Sequence, residues 1–233
     1  MKFERQTQSF DPCGTNVDIT EGRRIKNGPL LPEHVRGLIC GPSGCGKTQL
    51  MINLLTQPNG LKFQCCYVYS KTLYQPKYRF LEQLFKKLPE IQFTVCDKED
   101  ELISPAKAHP FSIMIFDDII CEKQKNLRAH FCTARHKNVD IFYLTQCYTK
   151  VGKHLIRDNA NLIVIFKTDD LNLRHVYDDH CSSDMDFNTF KNVCRECWKD
   201  KFGFLTVDKE SGVEEGRYRK GLDVFCTAIN SKV

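Results

Sequence analysis

The stretch from Val35 to Gln57 reads VRGLICGPSGCGKTQLMINLLTQ, and its three parts decide the fold. Val35 to Cys40 is a short apolar run of strand length that passes directly into a glycine-rich turn. Behind the turn, TQLMINLLTQ has helical spacing, and Pro58-Asn59-Gly60 stops it. Working outward, LKFQCCYVYS is a strand ending near Ser70, Tyr78 to Leu88 is a helix halted by Pro89, and Ile91 to Cys96 is another strand. A polar linker from Asp97 to His109 precedes FSIMIFDDII (residues 111–120), the strongest strand pattern in the chain. A basic helical segment then leads to the strand VDIFYLTQ (Val139 to Gln146), and a second polar, basic stretch leads to LIVIFK (Leu162 to Lys167). Beyond Lys167 the pattern is helical through FNTFKNVCRECWKD, and FGFLTVD with the turn-rich KESGVEEGRYRKG predicts a terminal hairpin. Strands alternate with helices, and the central strands are apolar along both faces. That predicts an α/β fold, a three-layer sandwich around a mostly parallel central sheet. Residues 1–34 are rich in turn formers and read as an irregular N-terminal segment, with one domain and its C-terminal extension over 35–233.

Composition agrees with a single well-filled domain. The chain has 233 residues, of which 41% are hydrophobic and 11% aromatic, which excludes collagen-like, low-complexity and wholly disordered classes. Its 34 Lys and Arg against 29 Asp and Glu give a net charge of +5, which permits a polyanionic partner without requiring one. The 13 cysteines suggest disulfides, but the odd count leaves one unpaired, and MKFERQTQSFDPC is too polar for a secretory signal. The expectation is a soluble, intracellular protein with free thiols and no membrane span.

Gly41, Pro42, Ser43, Gly44, Cys45, Gly46, Lys47 and Thr48 match G-x-x-x-x-G-K-[ST] without a mismatch, between a strand and a helix as the motif requires. Glycines let backbone N–H groups converge on a phosphate, and the helix N-terminus adds its positive end. Lys47 is placed for the β- and γ-phosphates of ATP, and Thr48 offers an oxygen to Mg²⁺. The metal also needs a carboxylate at the end of a neighbouring strand, and Asp117 is the candidate. Asp118, next in the chain, either activates the attacking water or caps the following helix. Paired acids favour hydrolysis, although a small-molecule P-loop kinase with an arginine-rich lid over residues 121–137 remains a rival. Gln146 ends its strand either as a sensor that holds the lytic water or simply as a polar exit from the core.

Arg135 and Arg157 each flank a core strand. Either can reach the phosphates of an adjoining subunit, bind nucleic-acid phosphate or lie on a solvated face. Lys123, Lys125, Arg128, His130, His136 and Lys137 form one basic segment, and Lys150, Lys153 and His154 continue it. These either track a DNA backbone or face water. Cys181, Cys194 and Cys197, with His180, could be arranged as a zinc set, but the spacing is loose and the C-x-x-C reads as part of a packed helix, so no structural zinc is expected.

Taken together, GPSGCGKT, FSIMIFDDI, ARHKNVDIFYLTQCYTKVGKHLIRDNANLIVIFK and FGFLTVD resemble the viral genome-packaging ATPases of the FtsK–HerA superfamily, over about residues 35 to 208. The similar members belong to poxviruses, other large DNA viruses, virophages and polinton- or adintovirus-type elements. The family's usual glycine-arginine-histidine is Ala134-Arg135-His136 here, which leaves the arginine in place. The resemblance implies a RecA-like core and an ATP-driven translocase that pumps double-stranded DNA into a preformed capsid. It also implies a homo-oligomeric ring, often a hexamer, docked on a capsid or portal vertex. Under it, Lys47 and Thr48 hold nucleotide and Mg²⁺, Asp117 the metal, Asp118 activates water and Gln146 is the polar sensor. Arg135 or Arg157 would act in trans. The implied location is the site of virion assembly inside the host cell, in cytoplasm or nucleus, or the virion itself. A helicase shares all of this chemistry and stays open as an alternative.

Overall fold

The fold is described from a computed structural model for residues 2–5, 27–98, 101–117 and 125–227. Its strands, in chain order, are β1 (Lys2–Arg5), β2 (Arg36–Cys40), β3 (Cys65–Ser70), β4 (Gln92–Cys96) and β5 (Ser112–Asp117). They continue with β6 (Val139–Thr145), β7 (Leu162–Phe166), β8 (Phe204–Asp208), β9 (Tyr218–Lys220) and β10 (Val224–Thr227). All ten join one sheet in the order β1-β10-β9-β8-β7-β2-β6-β5-β3-β4. From β7 to β4 the strands are parallel, and from β7 back to β1 every pairing is antiparallel. The mostly parallel sheet read from the alternation is therefore present, and the expected terminal hairpin belongs to a larger antiparallel wing.

The central strands are apolar throughout because both faces are covered. Leu38, Met114, Phe116, Ile141, Tyr143, Ile163 and Ile165 point into one core, while Ile39, Ile113, Ile115, Phe142, Leu144, Leu162 and Val164 point into the other. This is the period-two alternation of a strand, with no polar side to spare. Helices α1 (Lys47–Thr56) and α2 (Pro76–Phe85) close the second core through Leu50, Met51, Leu54, Leu81 and Phe85. Helices α3 (Lys125–Thr133), α4 (Asp170–His180) and α5 (Phe187–Cys197) close the first through Leu127, Phe131, Leu173, Val176, Phe190 and Val193.

Local signals set several boundaries. Asp169 and Asp186 accept backbone N–H bonds from Asn172 and from Asn188 and Thr189, capping α4 and α5. Helix α2 begins two residues before the periodic pattern because Pro76 occupies its first turn, where a missing N–H costs nothing. Lys2–Arg5 departs from the irregular reading of the N-terminal segment: it pairs antiparallel with β10, from Lys2 opposite Thr227 to Arg5 opposite Val224. An edge strand needs only backbone partners, so composition does not betray it. In the wing, the buried Arg219 guanidinium lies 2.6 Å from Asp208. No helix among the described residues is long and apolar enough to cross a membrane.

Candidate functional site

The strand order puts β6 between β2, which feeds the glycine loop, and β5, which ends in Asp117. Cys40 pairs with Thr145 and Leu144 with Asp117, so the three strands finish level at one edge of the sheet. The loop is stitched to this edge by Gly41 N–H, which donates to Thr145 O at 3.1 Å. Gly44 and Gly46 sit at φ of 76° and 112°, left-handed conformations that a side chain would strain, and Gly46 is the N-cap of α1.

Lys47 folds back over this loop. Its ammonium donates to Gly41 O at 2.6 Å and Pro42 O at 3.0 Å, so the positive charge is held at the loop mouth. Thr48 Oγ1 lies 3.4 Å from Asp117 Oδ2, bringing the two predicted metal ligands together from separate elements. Asp117 is buried, and the same Oδ2 accepts a hydrogen bond from the Tyr78 hydroxyl of α2. Burial, then the neighbouring Asp117 charge, push the Tyr78 hydroxyl well above the ordinary range, so it stays a proton donor. Tyr78 was not a candidate from its sequence. A signal exists, because a tyrosine sharing the buried face of α2 with Leu81 and Phe85 must find a partner for its hydroxyl. Gln146 is exposed immediately past Thr145, at the end of the strand between the loop and Asp117. Asp118 lies outside the described residues. Cys45, inside the loop, has its thiol pushed up by partial burial, against the opposing pull of Lys47.

No family model matches the chain, and no curated protein matches it in sequence. Solved structures do match. The genome packaging NTPase B204 from Sulfolobus turreted icosahedral virus 2, in complex with AMPPCP, superposes with a TM-score of 0.55 at 13% identity, over 84% of this chain and 100% of B204. Its AMP complex gives 0.54 at 17% identity, over 77% and 95%. The DNA-packaging ATPase B204 from Sulfolobus Turreted Icosahedral Virus gives 0.52 at 14% identity, over 75% and 92%. This chain folds like B204.

Within the B204-like sheet, the two candidate trans arginines lie away from the loop. Arg135 belongs to the short helical turn Ala134–Lys137 that leads into β6, and so sits at the opposite edge of the parallel strands. Arg157, in the turn Lys153–Arg157 ahead of β7, is at the same far edge and is buried. Its Nη1 lies 2.7 Å from Asp179 Oδ2, an ion-pair approach without hydrogen-bond alignment, and its guanidinium stacks 4.9 Å from the Tyr148 ring centroid. Tyr148 in turn bonds Asp179 at 2.9 Å and His180 at 2.7 Å, and burial draws the His180 pKa down to about 4.

The basic segments divide in the same way. His130 is buried, 3.0 Å from Ile103 O and edge-on to Phe116, whereas His136, Lys137, Lys150, Lys153 and His154 are exposed. Lys123 lies outside the described residues. Cys181, Cys194 and Cys197 are buried among the apolar side chains of the first core, where burial raises all three thiols. Among the described residues no group of three or more His, Cys, Asp or Glu is arranged to hold a metal ion.

Proposed function

We propose that the chain is a Mg²⁺-dependent ATPase that drives double-stranded DNA into a viral capsid as a homo-oligomeric ring. The observation that carries this reading is the facing of Thr48 and Asp117 beside a glycine loop closed by Lys47, in a fold shared with a genome packaging NTPase. The loop's N–H groups and the start of α1 cradle the triphosphate. Lys47 exchanges its bonds to the Gly41 and Pro42 carbonyls for phosphate oxygens, where its charge stabilises the transition state more than the ground state. A hydroxyl and a carboxylate are oxygen donors that suit a hard cation, so Thr48 and Asp117 would hold Mg²⁺, which neutralises charge building between the β- and γ-phosphates. Tyr78 fixes the Asp117 carboxylate by donating to Oδ2, the oxygen that also faces Thr48. Asp118 takes the proton of the attacking water, and Gln146 orients that water as the γ-phosphate bond to the bridging oxygen breaks.

A far-edge arginine completes the site of the next subunit in the ring. Arg135 suits this role better than Arg157, whose guanidinium is committed to Asp179. Exposed Lys137 and Lys150 meet the DNA backbone without reading bases. The ring, a hexamer by resemblance, docks on a capsid or portal vertex at the site of virion assembly in the host cell.

The test is the ATPase rate with long duplex DNA, single-stranded DNA and nucleosides, across a salt series, beside a strand-displacement assay. Duplex should stimulate hydrolysis without strand separation, and stimulation should fall steeply as salt rises. Stimulation by a nucleoside acceptor with indifference to duplex would make the chain a kinase. Preference for single strands with unwinding would make it a helicase.

A further inference from the structure

Phe202 combines three features that packing alone does not explain. It is 58% exposed, although it is a large apolar side chain. Its backbone sits at φ +64°, a left-handed conformation that strains a bulky residue and that glycine would occupy freely. It also lies against the phosphate loop: a Cβ built on Gly46 would meet the Phe166 ring at 3.5 Å and Phe202 Cβ at 3.8 Å. Strain held at such a position points from the outlier toward a function.

The topology says what that function is. Phe204 opens β8 opposite Phe166, the last residue of β7, so Phe202 stands just past the sheet edge that carries the loop. The pair formed by Thr48 and Asp117 marks the terminal-phosphate end of the site, on the side of β5. A triphosphate running through the loop from that end delivers its nucleoside to the other side, toward β7 and β8. Phe202 is the exposed aromatic there, with Lys201 Nζ 5.1 Å from its ring centroid.

We propose that Phe202 is the platform on which the base of the bound nucleoside triphosphate stacks, and that it gives the site a preference for purines. The proposal rests on the nucleotide-site reading above. Aromatic faces stack on any base, and the larger purine face gains more.

The experiment measures equilibrium binding of ATP, CTP and inorganic tripolyphosphate, with Mg²⁺, to wild-type protein, Phe202→Gly and Phe202→Trp, together with their Tm values. Phe202→Gly relieves the backbone strain, so its Tm should equal or exceed that of the wild type. Its ATP affinity should drop on the order of tenfold or more, its preference for ATP over CTP should shrink, and tripolyphosphate affinity should not change. Phe202→Trp should keep ATP affinity. The chain has one tryptophan, Trp198, so the added indole signal reads against the wild type and should be quenched by ATP but not by tripolyphosphate. Unchanged ATP affinity in Phe202→Gly, or equal losses for ATP and tripolyphosphate with a lowered Tm, would overturn the platform and leave the phosphate site standing. Wild-type protein that binds neither ATP nor tripolyphosphate would overturn the phosphate site and the platform with it.

Discussion

The two edges of the parallel sheet are both polar in sequence, yet their polar groups do different things. At the edge opposite the loop they staple the chain to itself. Asp140 accepts from Val35 N–H at 2.7 Å and from Asn27 at 2.9 Å, Asn161 accepts from Arg36 N–H at 2.7 Å, and Arg36 donates to Asn159 O at 2.6 Å. At the loop edge the polar groups gather around the glycine loop. Lys47 covers backbone carbonyls it can leave, Asp117 shares one oxygen with Thr48 and Tyr78, and Gln146 projects past the strand end. Where hydrogen bonds close within the chain, polarity stabilises the fold. Where they gather at the glycine loop, the proposed nucleotide gives the polarity its role.

The sharpest break between the edges is Lys47→Ala. It should remove ATP hydrolysis, with kcat down on the order of 10²–10³ or more, because the charge at the transferring phosphate is lost. Stability should fall by about 1–3 kcal/mol, since the buried Gly41 carbonyl loses its donor. Phosphate release at the wild-type rate from the purified variant would remove the loop from the chemistry.

The mirror experiment is Arg157→Ala at the far edge. Asp179 would stay buried with its main cation gone, and Lys153, 3.3 Å away, would offset part of the loss. Breaking such a pair costs about 3–5 kcal/mol, so urea unfolding should shift strongly even where nucleotide binding persists. A loss below about 1 kcal/mol would mean that the pair is not structural and that Arg157 is free to serve a neighbour.

How much of this was legible in the sequence follows the range of the interactions. The β2–loop–α1 unit, Asp117 at its strand end and Gln146 at the next were readable because each depends on a few consecutive residues. The same local pattern placed the covered sheet, since strands buried on both faces cannot hide their composition. Tyr78 was not readable, because its partner Asp117 is thirty-nine residues away and no spacing rule links a helix face to a strand tip. Arg157 was legible only as a charge in a polar stretch, and its burial against Asp179 depends on α4 folding over the crossover into β7. Phe202 carries no motif at all: its meaning lies in a backbone angle and in the approach of β8 to the loop.

The finest distinction between the edges is inside the site, where the Tyr78 hydroxyl bonds Asp117 within the chain. Its hydroxyl donates to the Asp117 oxygen that also faces Thr48, so it either orients the carboxylate for a metal or occupies the metal's place. The Tyr78 hydroxyl keeps its proton, which makes it a fixed dipole aimed at one carboxylate oxygen rather than a competing charge. A fixed donor of that kind locks the carboxylate rotamer and holds Oδ2 facing Thr48. Orientation is therefore the expected role. Tyr78→Phe keeps the ring in its buried slot and deletes the bond alone. The Mg²⁺ concentration for half-maximal hydrolysis should rise about tenfold, with kcat near the wild-type value once Mg²⁺ saturates. The sign of the shift decides between the roles: a fall in the Mg²⁺ requirement would show that the hydroxyl had been blocking the site, and an unchanged requirement would make Tyr78 a packing residue whose bond the metal does not feel.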